Sequence, residues 1–436
     1  MQLSRLISHV LVCFFACLCI FAVTPVRAEN GSSWPQWRGA QQNGVAPGDA
    51  FPTKWSEDDG VEWKAELQGK GGSTPVVSGN AAYLTMGNDK KNMLQAFDIE
   101  TGKVQWEVAL GTDRGNKHAK GSGSNPSAIA DGDSVFAYFR SGDLACVGAD
   151  GKTRWHINLQ DKYGEDSLWW DLGSSPMLTD EAIVVAVMQT GPSYLAAYDK
   201  KTGDELWKVD RMLGAPEEAA QSYSTPLAVT VDGKPAIAVM GADHLTLHDG
   251  TNGKEIGRLG GFNPDGEKYF RSISSPVAIG NLIVCPYSRG NTLTAVNMDQ
   301  LASGKGKDAI AWFRDDLGSD VPTPAALQNR VYVVGDGKKA RGKISCLDVA
   351  TGKSLWTVQL PKSRIGYSSS PLVAGDHLYV TQENGTTHVI GPLSSSQPEV
   401  VSENKIGDDG QFTVASPIPV DDSLLLRSKN HLYRLK

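Results

Sequence analysis

The sequence predicts an all-β protein, an eight-bladed β-propeller of four-stranded antiparallel blades, and three observations predict it. The phrase "AFDIETGKVQW" at Ala96–Trp106 returns as "AYDKKTGDELW" at Ala197–Trp207 and as "CLDVATGKSLW" at Cys346–Trp356. A short, mostly Ser/Thr pair before proline, followed by an apolar run, recurs with prolines 75, 126, 176, 226, 276, 324, 371 and 417, at spacings of 51, 50, 50, 50, 48, 47 and 46 residues. Eight copies at such a period are the mark of a propeller or a solenoid. The last unit stops at "HLYRLK" after its third strand, whereas "VEWKAEL" (residues 61–67) is a fourth strand with no unit of its own. Ring closure through that strand removes the open edges a linear array would leave.

Within each unit the elements follow from the local pattern. After each proline comes an apolar run, a turn built on Gly, Asp or Asn, and a second alternating run, as in "PVVSGNAAYLT" and "PLVAGDHLYVT"; these read as hairpins. A third run ends on the aspartate of the phrase, Thr-Gly makes a tight turn, and a fourth short run carries the tryptophan. Glycine at the turn permits positive φ, and the aspartate can accept the turn amides. No helical stretch is expected between the strands.

Trp106, Trp155, Trp207, Trp312 and Trp356 stand on the fourth strands of their units, and Trp63 on the closing strand. A flat ring there can pack between neighbouring blades and give its indole N–H to a backbone carbonyl, burying on the order of 150–250 Å². These six are therefore structural docking residues. Two units lack the ring: "HDGTNGKEIG" has Gly257 in the register, and the seventh unit ends in "PEVVSENK".

Residues 1–28 carry a basic start with Arg5, an apolar run and a small-residue end at Ala28, the pattern of a cleaved secretory signal, followed by an N-terminal arm at 29–60 and the propeller at 61–436. The chain is thus expected to be exported, periplasmic or secreted, with no transmembrane span once the signal is removed. Removing the signal leaves 40 basic against 49 acidic residues, a net charge of −9. An acidic exported chain is a poor ligand for phosphate backbones, so nucleic acid is excluded as a partner. Three of six cysteines lie in the signal; the remaining Cys146, Cys285 and Cys346 are too scattered for a disulfide framework. His244 and His248 share a strand face without a third ligand, and no nucleophile elbow, Walker loop or zincin motif occurs.

The phrase A-x-D-x-x-T-G-x-x-x-W, complete in its first two copies and with Cys346 for the alanine in the third, resembles the tryptophan-docking motif of the quinoprotein alcohol dehydrogenase-like, or PQQ-like repeat, propellers over about residues 61–436. The opening "WPQWRG" at residues 34–39, "VEWKAEL" and the "GSSP" blade starts resemble the secreted PQQ-like repeat proteins of planctomycete-type bacteria, and the ring is also similar to the outer-membrane assembly lipoprotein. The resemblance implies two functional classes. The dehydrogenases hold pyrroloquinoline quinone and calcium at the ring centre, with an adjacent cysteine pair that this chain lacks; Asp171, Asp265 and Asp320 offer only scattered oxygens. The assembly lipoprotein uses the same ring as a scaffold without a cofactor, and for the secreted repeat proteins the resemblance implies mainly a fold. The expectation is a monomeric, non-catalytic binding scaffold for a protein or glycan partner in the envelope, with no catalytic residue, metal site or cofactor. The alternative is a periplasmic oxidoreductase dependent on PQQ and calcium.

Any site should lie on the loops leading from each fourth strand to the next proline, because these enter the innermost strand beside the central channel. They carry His118, Trp169, Trp170, Asp171, Tyr223, Arg271, Arg364 and Tyr367, the candidate binding face. Trp169 and Trp170 are expected to point in opposite directions, as adjacent residues of a strand do.

Overall fold

The computed structural model describes residues 33–406 and 412–436, so the signal segment lies outside the described residues. Eight four-stranded antiparallel sheets follow one another in chain order. Blade 1 runs from Val76–Ser78 through Ala81–Asn88 and Lys91–Asp98 to Val104–Thr112. The innermost strands of blades 2 to 8 are Ile129–Asp131, Met177–Leu178, Leu227–Val231, Val277–Ile279, Ala325–Leu327, Leu372–Ala374 and Ile418–Val420. Blade 8 takes its fourth strand from the other end of the chain: Val61–Glu66 pairs antiparallel with His431–Leu435. Its hydrogen bonds replace those a covalent hairpin would have made.

The apolar side chains that alternate along each strand meet those of the next blade, so the core is divided into inter-blade layers. Between blades 1 and 2, for example, Val76, Tyr83, Leu94 and Ala96 face Val135, Ala137, Ala145 and Val147, all buried. The tryptophans close these layers at the outside by a repeated contact. Five of the six rings rest on the turn glycine of the next blade, where an added Cβ would come 2.6 Å from Trp63 at Gly102, 2.9 Å from Trp106 at Gly151, 2.8 Å from Trp155 at Gly203, 2.3 Å from Trp207 at Gly253 and 2.6 Å from Trp312 at Gly352. The indole N–H of Trp63, Trp106, Trp155 and Trp312 reaches a backbone oxygen of Ile99, Ala149, Lys200 and Val349 at 2.7–3.0 Å. Trp207 makes no such bond, and the indole nitrogen of Trp356 is buried without a partner. Blade 7, which Trp356 meets, has no Thr-Gly turn to offer it.

Two one-turn helices interrupt the all-β pattern, contrary to the sequence expectation. Asn158 caps Leu159–Tyr163 by accepting from the amides of Gln160 and Asp161, and Asn297 caps Met298–Ala302 by accepting from the amide of Gln300. An asparagine at the strand end offers these chain segments an alternative to a tight turn.

A closed ring of hydrogen bonds joins the innermost strands. The amide of Thr74 donates to Ser127 Oγ, and the same step runs from Ser127 to Ser175, Thr225, Ser275, Thr323, Ser370, Ser416 and back to Thr74, at 2.8–3.1 Å. In seven blades the hydroxyl residue precedes the proline. In blade 2 it follows it, at Ser127, so that blade's anchor is offset by two residues from the register the prolines suggest.

The N-terminal arm closes the channel at the face where the hairpin turns lie. Ser33–Trp34 pairs with Val77–Ser78 as an extra strand inside blade 1. From there the chain crosses the channel and serves the free edges of the innermost strands: Pro35 O accepts from Ala130 N, Asn43 O from Ala326 N and Gly44 O from Val373 N, at 2.8–3.0 Å. Gln42 Oε1 accepts from Ala228 N, and Arg38 donates to the carbonyls of Pro324 and Pro371. Arg38 is buried with no carboxylate partner among the described residues, and desolvation pulls its pKa down to about 9. It still carries its charge at neutral pH, held by carbonyl dipoles alone.

Candidate functional site

The opposite face is the loop face, to which every fourth strand returns. With the arm sealing the turn face, the channel becomes a well of about 810 Å³ with its mouth among those loops. Its floor is the hydroxyl ring: Thr74, Ser127, Ser175, Thr225, Ser275, Thr323, Ser370 and Ser416 all line it, together with Trp37 from the arm.

Seven of the eight sequence-predicted residues line the well: His118, Trp169, Trp170, Asp171, Tyr223, Arg271 and Tyr367. Arg364 does not; it lies in the loop behind, and its carbonyl accepts from Arg341 Nη1 at 3.0 Å. Trp169 and Trp170 both face the well, contrary to expectation, because they sit in a bend and not on a strand. Trp170 meets the His118 ring edge-on at 5.3 Å between centroids and donates its indole N–H to Glu218 Oε1 at 2.7 Å. Trp169 lies 6.4 Å from the Tyr269 ring, and its amide donates to Gln221 Oε1.

Buried polar groups set these side chains in place. Asp171 is buried and accepts from the amides of Lys117 and His118 at 2.8–3.0 Å, which fixes the His118 loop. Tyr223 donates to Gln221 Oε1 and accepts from the Trp170 amide, and burial pushes its phenol pKa up. Tyr367 accepts from Gln382 Nε2 at 3.0 Å, and burial raises its pKa as well. Arg271 forks onto Asp320 at 2.9 and 3.1 Å. Behind that pair, Asp336 accepts from the amides of Asp320 and Val321, and burial raises its carboxyl pKa to about 6.

Sequence reasoning missed a second set of wall residues. Arg289, Asp336, Arg341 and Glu383 line the well from the loops that join the second and third strands of blades 5, 6 and 7. In a four-stranded antiparallel blade those loops emerge on the same face as the blade-to-blade loops. "YSRGNT", "GDGKKARGK" and "QENGTT" were the signal, being longer and more charged than a hairpin needs.

Three of the four wall cations are neutralised by carboxylates. Arg271 meets Asp320, Arg289 lies 3.3 Å from Glu218, and Lys120 lies 2.7 Å from Glu383, which also accepts from Ser368 Oγ. Calcium needs six to eight convergent oxygens, and the well's carboxylates are committed to guanidinium, ammonium, indole and amide donors. Among the described residues no three His, Cys, Asp or Glu side chains converge on a point. Cys146, Cys285 and Cys346 are buried separately in blades 2, 5 and 6. The donor set does not fit a calcium-bound quinone.

A family model described as "Outer membrane protein assembly factor BamB" matches residues 52–191 and 302–397. The chain is 26% identical over 388 residues to the outer membrane protein assembly factor BamB of Shewanella oneidensis, covering 85% of this chain and 87% of that one. Among solved structures, BamB from Moraxella catarrhalis superposes with a TM-score of 0.60 at 14% identity, covering 86% of this chain and 99% of that one. A europium-containing methanol dehydrogenase superposes with a TM-score of 0.68 at 12% identity, covering 91% and 89%. At such identities the two structures speak for the fold alone.

Proposed function

Since the chain belongs to the PQQ_2 propeller family, described as outer membrane protein assembly factor BamB, we propose that it is an exported, non-catalytic scaffold that engages a protein partner in outer-membrane protein assembly through the rim of its loop face. One observation carries the reading. Of the ten exposed large apolar residues among those described, Trp169 (45%), Trp170 (41%), Met212 (58%), Tyr269 (51%) and Ile365 (37%) stand on the blade-to-blade loops of this one face. The other five, Val104, Leu206, Phe313, Leu355 and Val401, are spread one per blade along fourth strands. Apolar and aromatic residues gathered on a rim, with charged neighbours such as Arg289 and Lys268 around them, have the make-up of a protein-binding hot spot.

The family's dehydrogenase chemistry finds no support in the donor set described above, and the scaffold reading requires none. The test is a pull-down from detergent-solubilised envelopes with wild type and a Trp169→Ala, Tyr269→Ala double variant whose melting temperature matches wild type. The expected result is loss of an outer-membrane assembly protein from the variant's eluate. Equal recovery by both would remove the rim from the binding surface.

A further inference from the structure

We propose that the well enclosed by this rim is a binding site for a short saccharide, or a saccharide chain end, that carries a carboxylate. The inference rests on the floor and walls of the well, shares Trp169, Trp170 and Tyr269 with the rim, and does not depend on a protein partner there.

The floor points to a polyhydroxylated ligand. Each of the eight ring hydroxyls accepts a neighbour's amide, and among the described residues none has an acceptor for its own proton. A hydroxyl holds one donor and two acceptor positions. Eight O–H donors therefore converge on one floor, with their remaining lone pairs beside them. A ligand bordered by many alcohol and ether oxygens can satisfy such a floor; a hydrocarbon would leave it unpaired, at a cost.

The walls indicate how much charge the ligand carries. Of the four Lys and Arg side chains lining the well, Lys120, Arg271 and Arg289 each have a carboxylate within 4 Å. Arg341 has none among the described residues: one Nη donates to the carbonyl of Arg364, and its Nε is buried without a partner. A single guanidinium without a carboxylate, in a wall whose other cations are paired, suits one carboxylate. It does not suit a nucleotide, whose several phosphates would face Glu218, Asp320 and Glu383.

Flat rings supply the rest. Trp169, Trp170 and Tyr269 line the mouth and Trp37 the base, and aromatic rings are the side chains against which the C–H side of a sugar ring packs. The volume of about 810 Å³ falls in the range of small-ligand sites. Because the arm from Ser33 to Ala46 crosses the far end, the ligand enters and leaves by one mouth. That geometry admits an oligomer or a chain end and no threaded polymer.

The experiment is isothermal titration of the full propeller with trigalacturonate, maltotriose and tricarballylate, alongside an array of acidic and neutral glycans. Trigalacturonate, or another acidic glycan from the array, is expected to bind at one site, at least tenfold more tightly than its neutral counterpart. Arg341→Gln, its folding verified by thermal unfolding, is expected to reduce acidic-glycan affinity to the neutral level. Binding of no acidic glycan overturns the proposal. So does tricarballylate binding as tightly as the acidic sugar, which would make the site a plain carboxylate receptor, and so does undiminished binding by a folded Arg341→Gln protein. The comparison of acidic with neutral sugar on wild type decides the matter even if the variant fails to fold.

Discussion

The contact between Trp155 and Gly203 can be tested as a pair. Trp155 is 8% exposed and donates its indole N–H to Lys200 O at 3.0 Å, while a Cβ placed on Gly203 would come 2.8 Å from the ring. Trp155→Ala alone should cost about 3–5 kcal/mol, the range for deleting a large buried aromatic. Gly203→Ala alone should cost about 1–2 kcal/mol for an L-residue at φ +77, and about 1–3 kcal/mol more for forcing a methyl into the ring. In the double variant the overlap is gone and only the backbone strain remains. The double should therefore be less destabilised than the sum of the singles by about 1–3 kcal/mol, the overpacking share. Urea unfolding followed by far-ultraviolet circular dichroism reads this out, provided that the slope with denaturant stays constant across the four proteins. Additivity to within about 0.5 kcal/mol would mean that the ring does not rest on the turn, and the rivet account of the repeated phrase would fall.

Three further outcomes are expected. Deleting residues 29–67 removes both the arm and the strand paired with His431–Leu435, and should lower the thermal midpoint by more than about 10 °C; an unchanged midpoint would make the arm and closing strand mere tails. Gly257→Trp restores the missing member of the tryptophan series, yet it should destabilise by about 3 kcal/mol or more, because even a Cβ there would come 3.1 Å from the Leu301 backbone; chemical denaturation would expose the error if the variant were more stable. For Asp336 the folded pKa of about 6 stands above the ordinary 3.8, so the folded state holds the proton more tightly and stability falls as pH rises from about 4 through 6. Relative to an Asp336→Asn variant, wild type should lose up to about 3 kcal/mol across that window, and parallel stability curves for the two proteins would contradict the burial.

The architecture was legible because its causes are local and repeated. An aspartate, a turn glycine and a tryptophan at fixed offsets specify a hairpin and its inter-blade contact, and eight repetitions specify a ring. The blade-to-blade loops were legible as a shared face for the same reason, which is how seven of the eight named residues came to line the well. What was not legible depends on contacts distant in sequence. Nothing in "WPQWRG" announces that Arg38 will thread to the carbonyls of Pro324 and Pro371, more than 280 residues away. Ser127 looked like the residue after an anchor because proline marks the anchor elsewhere, while the ring is set by a hydroxyl. Arg341 and Glu383 were overlooked because a loop between the second and third strands reads as an ordinary hairpin until the blade's geometry turns it toward the channel.

The departures from the repeat are themselves ordered: at two of three seams a lost ring is matched by a lost turn next door. Blade 4 lacks a tryptophan at Gly257, and blade 5, which that ring would have met, replaces its turn with the helix Met298–Ala302. Blade 7 lacks its tryptophan too, and blade 8 has no turn to receive one, because its third and fourth strands come from opposite ends of the chain. At that seam the arm supplies a substitute: Trp55 stacks against Tyr379 of blade 7 at 6.3 Å, and its amide donates to Asn404 Oδ1. Blade 6 shows what an unmatched loss leaves behind, since Trp356 has a ring in place and an indole N–H with nothing to bond. A buried donor without an acceptor costs about 1–3 kcal/mol. Ring and turn are thus a single unit of recognition between blades: where both halves go together nothing is left unpaired by the loss, and where the turn goes alone, at Trp356, a buried donor is stranded.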